Sequence, residues 1–151
     1  MRNEQTREWS SFPQQAEATS LDLSFRLPGK PTDSTLRLRQ QDVKQIWKVA
    51  INGKMIDKLQ QDENDMVRYF AVPANVLQPG NNQLTISTSS KRGADDIRVG
   101  KISLFDQPRD MVLSEGEVTI RVVDTDGKEG IDSNIITVGP ANSAPTCAIT
   151  A

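Results

Sequence analysis

The stretch QIWKVAINGKMI, residues 45–56, decides the fold of this chain. Its first half reads as a strand that places Trp47, Val49 and Ile51 on one face. Asn52 and Gly53 then supply the positive φ angles that a type I′ hairpin turn requires. We therefore predict a β-hairpin whose Trp47 ring fills a core. The alternative, a ring that grips a ligand, requires Trp47 to face solvent.

Alternating segments recur on both sides of this hairpin, separated by short turn-rich loops. The predicted strands are TSLDLSFRL (19–27), STLRLRQ (34–40), MVRYFAV (66–72), QLTISTS (83–89) and IRVGKISLF (97–105). Period-two alternation is typical of half-buried strands, whereas residues 66–72 are apolar on both faces and predict a strand in the middle of a packed sandwich. Together these patterns predict an all-β protein with an antiparallel β-sandwich.

Two local features interrupt the simple alternation. Ile97 and Val99 are out of step with the apolar residues at 102 and 104, which predicts a β-bulge near Gly100. Helical periodicity is almost absent, and only PANVLQPG, residues 73–80, predicts a single turn, opened by Pro73. These irregularities mark strand ends and connections, not a helical layer.

The organisation of the chain follows from where this pattern begins and ends. Residues 1–18 are polar and predict an irregular lead-in, and residues 19–108 contain one complete β-sandwich. Residues 109–151 hold two further predicted strands, 118–122 and 135–138, and a linker-like GPANSAP. We interpret this last region as a partial β domain or an extension with a linker.

Three motifs, WKVAING, YFAVPANVLQPGNNQLTIS and DDIRVGKISLF, carry a family resemblance. They are similar to motifs of the galactose-binding-like jelly-roll domains, the β-sandwiches of carbohydrate-binding-module type attached to glycoside hydrolases and polysaccharide lyases. The matching residues are Val49, Asn52, Gly53, Pro73, Leu77, Gly80, Asn82, Asp95 and Asp96, within roughly residues 19–105. The resemblance implies a jelly-roll sandwich that acts as a non-catalytic carbohydrate-binding or accessory module of a larger protein.

The crossover part of this pattern also has a direct physical explanation. Leu77 is placed to plug an open end of the sandwich, and Gly80 to reverse the backbone without steric hindrance. The amide of Asn82 is placed to bond the backbone groups that such a turn leaves unpaired. None of these roles requires a ligand.

The C-terminal segment EVTIRVVDTDGKEGIDSNIITVGPANSAPTCAIT, residues 117–150, resembles the end of one bacterial immunoglobulin-like surface repeat and the start of the next. That resemblance implies neighbouring domains of the same polypeptide and an extracellular, cell-surface or periplasmic location. The residues after Met1 lack the apolar segment of a secretory signal, so we expect none in this chain.

Composition excludes several classes of function. The chain has no His and one Cys, which excludes Ser-His-Asp and Cys-His catalysis and His-ligated zinc. A glycosidase-like pair of carboxylates stays possible in principle, but no pair among the 20 acidic residues is distinguished from the rest. A net charge of −2 gives no broad basic surface, and no apolar run reaches the length of a membrane span. We expect no enzyme, no nucleic-acid partner and no membrane partner.

The candidate carbohydrate-binding residues combine rings with polar loop residues. They are Trp9, Tyr69, Arg92, Asp95, Asp96 and Arg98. An exposed ring of Trp9 or Tyr69 would stack on a sugar, while the two acids accept and the arginines donate hydrogen bonds. The alternative is that KRGADD, residues 91–96, is a solvated loop whose acids cap turns. The polar loop at 60–65 is expected at the same end of the sandwich.

A possible structural calcium site lies further along the chain. Asp124, Asp126 and Asp132 supply the hard oxygen ligands that Ca²⁺ prefers, although their spacing does not match an EF-hand. The alternative is an Asp- and Gly-rich hairpin turn, and no other cofactor is predicted. For the whole chain, the alternative function is a structural spacer or protein-interaction β-sandwich without a small-molecule ligand.

Overall fold

The computed structural model describes residues 1–90, 92–114, 118–123 and 129–134. The chain divides into two compact units, Met1–Arg109 and Asp110–Ala151. The strands are β1 (Leu21–Leu27), β2 (Ser34–Gln41), β3 (Lys48–Ile51), β4 (Lys54–Lys58), β5 (Met66–Val72), β6 (Gly80–Ser87), β7 (Arg98–Phe105), β8 (Val118–Val123) and β9 (Glu129–Asn134). A 3₁₀ turn covers Ala74–Val76, and helix α1 covers Arg109–Ser114.

The first unit consists of two antiparallel sheets. One has the strand order β1-β6-β3-β4 and the other the order β5-β2-β7. Apolar side chains of both sheets meet in one buried core, which includes Leu36, Leu38, Val49, Ile51, Phe70, Val72, Leu84 and Ile86. The predicted all-β architecture of antiparallel sheets is therefore confirmed.

The hairpin of residues 45–56 forms as its sequence predicts. Asn52 and Gly53 have φ angles of 50° and 77°, the positive values that the turn needs. Trp47 lies just before β3 and is completely buried in the core. The core interpretation of this ring is confirmed, and the hairpin supplies the inner strand β3 and the edge strand β4 of the four-stranded sheet.

The predicted bulge in the last strand of the first unit is also present. Arg39 of β2 pairs with Gly100 of β7, whereas Arg37 pairs with Ser103, so β7 contains one extra residue between these pairs. Lys101 within it has a φ of 48°, a left-handed conformation typical of such bulges. The extra residue returns the apolar residues of β7 to the core side.

The prediction that residues 66–72 lie in the middle of the sandwich is wrong. The segment forms β5, an edge strand of the three-stranded sheet, and the central strand is β2. β2 can be the central strand although its outer face carries arginines, because neighbouring side chains accept hydrogen bonds from them. Arg37 Nε donates to the Tyr69 hydroxyl at 3.3 Å, and Arg39 Nε donates to Asp65 Oδ1 at 2.6 Å. Periodicity alone does not reveal these partners.

The crossover between β5 and β6 confirms the three roles expected of its residues. Leu77 is buried in the core, and Gly80 has a φ of 83°. Asn82 Oδ1 accepts hydrogen bonds from Gln78 N at 2.9 Å and Asn52 Nδ2 at 2.8 Å. Its Nδ2 donates to Gln78 O at 2.8 Å and Gly80 O at 3.0 Å. One amide thus joins the crossover to the hairpin turn.

The second unit is described only in part. β8 confirms the strand predicted at 118–122, and it pairs with β9 in an antiparallel ladder. The predicted strand at 135–138 and the linker after it lie outside the described residues. Helix α1 was not predicted, because six residues are too few to show a helical period.

Replacing Asn82 with Ala tests the crossover. The substitution leaves backbone donors and acceptors of a buried turn unpaired, so we expect the free energy of unfolding to fall by about 2–4 kcal/mol. Chemical denaturation measures the change. Asn81→Ala is the matched control, because Asn81 is exposed and, among the described residues, its side chain forms no hydrogen bond while its backbone oxygen accepts from Gln78. Equal stability of the two variants would contradict the assignment.

The pair between Arg39 and Asp65 predicts a pH dependence. The hydrogen bond from Arg39 lowers the pKa of Asp65 below its usual 3.8. A lowered pKa means that the pair stabilises the fold above that value and that the contribution disappears as the pH falls through the folded-state pKa. Asp65→Asn is therefore expected to lower the melting temperature slightly at neutral pH, and this difference is expected to shrink as the pH falls further below 3.8. Asp106→Asn is the control, and a difference that persists in acid would contradict the prediction.

Candidate functional site

The carboxylate of Asp95 is fully buried and bonds the segment that leads into β3. Its Oδ2 accepts hydrogen bonds from Trp47 Nε1 at 2.8 Å and from Gln45 N at 2.9 Å. Its Oδ1 accepts from Lys44 N at 3.2 Å. These three donors come from one short stretch, so Asp95 fixes both the backbone of residues 44–45 and the orientation of the core indole.

The neighbouring carboxylate of Asp96 bonds the lead-in. Arg2 Nε donates to Asp96 Oδ1 at 2.6 Å, and Glu8 N donates to Oδ2 at 2.7 Å. The Arg2 guanidinium is buried, and its remaining nitrogens donate to the backbone oxygens of Pro13 at 2.6 Å and Gln14 at 3.1 Å. The irregular lead-in therefore wraps around a buried ion pair.

The expectation that residues 91–96 form an exposed loop is wrong for its last two residues. Asp95 is 0% and Asp96 3% exposed, because the lead-in and the segment before β3 cover them. In the structure, both carboxylates accept hydrogen bonds from donors within the protein. The sequence did not indicate this arrangement, since the covering residue Arg2 sits in a polar stretch with no periodicity.

One cleft of about 290 Å³ lies beside the lead-in. Its lining residues are Met1, Arg2, Phe12, Pro13, Ala16, Glu17, Leu21, Asp96, Ile97, Arg98 and Val99. The Arg98 guanidinium lies over the Phe12 ring, 4.9 Å from its centroid, and Arg98 Nη1 donates to Gln41 Oε1 at 3.3 Å. The structure thus brings two predicted site residues, Asp96 and Arg98, to one cleft, both with partners inside the protein.

A second cleft of about 430 Å³ has a different character. Its lining residues are Lys44, Gln45, Ile46, Lys48, Lys58, Gln61, Ser89, Ser90 and Arg92. Four of these nine side chains are cationic and none is acidic, so we call this the basic cleft. The predicted site residue Arg92 and Gln61 of the polar loop at 60–65 both line this cleft. This agrees with the expectation that the two loops lie at the same end of the sandwich.

The four cations of the basic cleft are not equivalent. Lys44 Nζ bonds Asp42 Oδ1 at 3.1 Å and Glu8 Oε2 at 3.2 Å. Burial lowers the pKa of Lys44, but the hydrogen bonds to Asp42 and Glu8 raise the pKa by more than burial lowers it. The pKa of Lys44 therefore lies above its usual value. Within the described ranges, Lys48, Lys58 and Arg92 form no ion pair. The positive charge of the cleft therefore comes from these last three residues.

The two aromatic candidates lie away from both clefts. Trp9 is 59% exposed in the lead-in and lines neither of them. Tyr69 is half-buried on the outer face of the three-stranded sheet, where its hydroxyl accepts from Arg37. The six predicted carbohydrate-binding residues are thus spread over several places, and their role in binding stays a prediction.

The predicted calcium ligands fall mainly outside the described residues. Asp124 and Asp126 are not described, and Asp132 lies in β9, opposite Ile120 of β8. Where the structure is described, no group of three or more His, Cys, Asp or Glu residues is placed to hold a metal. The calcium site stays a prediction.

Lys48 and Lys58 were not among the predicted site residues, because their pairing depends on the register of the hairpin. A regular hairpin closed at Asn52 and Gly53 would place Lys48 opposite Asp57, as an ordinary ion pair. The structure has a register shift in this hairpin, so Lys48 pairs with Lys58 and Val49 with Asp57. Only the actual pairing brings the two ammonium groups to the same place.

Comparisons of the chain with models of protein families, with curated proteins and with solved structures find no match. In the part of the chain that is described, no helix has the length and apolar character needed to cross a membrane.

Replacing Asp95 with Ala tests its role beneath the basic cleft. The substitution leaves the buried indole N–H of Trp47 and the partly buried backbone N–H groups of Lys44 and Gln45 without their acceptor, so we expect a loss of about 3 kcal/mol in the free energy of unfolding. Asp106→Ala removes an exposed carboxylate and is expected to change stability by less than about 0.5 kcal/mol. Denaturation followed by tryptophan fluorescence measures both, and a stable Asp95→Ala protein would show that these hydrogen bonds are dispensable.

Proposed function

We propose that this chain is a non-catalytic carbohydrate-binding or accessory module of a larger secreted, polysaccharide-active or surface protein. The observation that supports it is the basic cleft, an open groove of about 430 Å³ whose walls carry amide, hydroxyl and guanidinium groups. Sugars present many hydroxyl groups that both donate and accept hydrogen bonds, and these side chains are suited to meet them. Among the described residues, no acidic side chain lines the cleft, so they place no carboxylate pair for glycoside hydrolysis there.

Hydrogen bonds hold the amide groups of the cleft in place before any ligand arrives. Gln61 Nε2 donates to Lys44 O at 2.7 Å, and Gln45 Nε2 donates to Gly93 O at 2.7 Å. Such preorganisation reduces the entropy lost on binding. Ile46 is 46% exposed at the same cleft and offers an apolar surface for the C–H face of a sugar ring.

In this proposal the buried acids support the site and do not touch the ligand. Asp95 fixes the backbone of Lys44 and Gln45, which form part of the cleft wall. The resemblance to galactose-binding-like jelly rolls supports the same reading, as does the architecture of two antiparallel sheets. The likeness of residues 117–150 to surface repeats supports an extracellular, cell-surface or periplasmic setting beside neighbouring domains.

A structural spacer or protein-interaction sandwich is the second candidate. It is favoured by the internal use of Asp95 and Asp96 and by the position of Trp9 and Tyr69 outside both clefts. A cleft without an aromatic platform binds a sugar weakly. The two candidates differ in whether any glycan binds the folded protein.

Titration against plant, algal and mucin polysaccharides distinguishes these candidates. We expect dissociation constants in the range of roughly 1 μM to 1 mM, since few contacts are available. Arg92→Gln is expected to weaken binding about threefold with an unchanged melting temperature, because Arg92 is exposed. Arg26→Gln, an exposed arginine outside the cleft, is the matched control. Trp9→Ala tests whether the exposed ring of Trp9 contributes to binding. If the folded protein binds none of the polysaccharides, the structural spacer is favoured.

A further inference from the structure

Two lysines of the basic cleft face each other across one hairpin. Lys48 of β3 and Lys58 of β4 are direct partners in the antiparallel ladder, and both are exposed and line the cleft. Like charges at directly opposite positions destabilise a sheet. The register shift that produces this pair also moves Asp57, the acid of β4, opposite Val49. The hairpin thus concentrates positive charge in the cleft at a cost to its own stability.

A third cation extends this charge to another part of the cleft. Arg92 comes from the loop before β7 and lines the same groove. Lys44 contributes little, since its charge is balanced by Asp42 and Glu8. The whole chain has a net charge of −2, so the positive field of Lys48, Lys58 and Arg92 is local to the cleft. Such a field attracts an anion to the cleft.

We infer that the basic cleft binds a polysaccharide bearing carboxylate or sulfate groups. The inference rests on the proposed carbohydrate-binding function and names the class of glycan. An anionic group between the paired ammonium groups relieves their repulsion, while Gln45, Gln61 and the serine hydroxyls are available to the sugar hydroxyls. Single-stranded nucleic acid is also anionic, but its bases bind by stacking on aromatic rings. None of the nine lining residues is aromatic, so they offer no ring on which a base could stack, whereas an acidic glycan is held here by its charge and its hydroxyl groups.

The test compares each acidic polymer with its neutral counterpart. The probes are polygalacturonate with its methyl-esterified form, dextran sulfate with dextran, and a single-stranded oligonucleotide, each titrated at low salt and in about 0.5 M NaCl. We expect at least about tenfold tighter binding of an acidic polymer than of its neutral form, and most of that advantage to vanish in high salt. The two pairs separate carboxylate from sulfate as the favoured group.

Variants of the lysine pair connect this binding to the cleft. Lys48→Gln and Lys58→Gln are each expected to weaken binding of the acidic polymer about two- to fivefold, and the double variant about tenfold. Lys30→Gln removes the same charge from an exposed turn outside the cleft and should leave affinity unchanged. The double variant should melt at the same temperature as the parent protein or higher, because a repulsion is removed. Loss of binding with preserved melting therefore excludes simple unfolding.

Each remaining outcome contradicts the inference in a recognisable way. Equal binding of acidic and neutral forms, unaffected by the lysine variants, overturns the anionic class and leaves the proposed carbohydrate-binding function intact. No binding of any glycan overturns both. Tighter binding of the oligonucleotide than of either acidic polymer overturns the inference in favour of nucleic acid. Equal losses in Lys30→Gln and in the lysine-pair variants would show a diffuse charge effect without a site.

Discussion

The buried carboxylate of Asp95 is the constraint on which the rest of the first unit depends. It joins the segment before β7 to the segment before β3, and it binds the indole that fills the core between the sheets. A buried charge is costly unless hydrogen bonds replace its hydration, and three protein donors do so here. The next residue, Asp96, extends the same arrangement to Arg2 and so to the lead-in. Two adjacent acids therefore link three distant segments of chain.

This constraint also explains how a polar cleft is built at one end of an apolar sandwich. The backbone of Lys44 and Gln45 is held from below by Asp95, while their side chains form the cleft wall above. The core and the cleft thus share one support. Acids that the sequence suggests as ligand-binding groups act in the structure as the support of that wall. The described groups that line the cleft are amides, hydroxyls, cations and the side chain of Ile46.

Much of the sandwich was predictable, because alternation and turn residues act locally. The turn at Asn52-Gly53, the bulge near Gly100 and the local hydrogen bonds of Asn82 to Gln78 all follow from patterns of residues close together in sequence. The edge position of β5 and the burial of Arg2 were not predictable, since both depend on partners more than 25 residues away. The Lys48–Lys58 pair was not predictable because it depends on a register shift in the hairpin, which residue spacing in the sequence does not show.

β4 ends the order of the four-stranded sheet, and its sequence, KMIDK, places a charge at three of five positions. An edge strand offers unpaired backbone groups to any other strand that approaches it, and charged side chains, lysine above all, discourage that pairing. The lysines at its two ends thus protect the sheet against edge-to-edge aggregation.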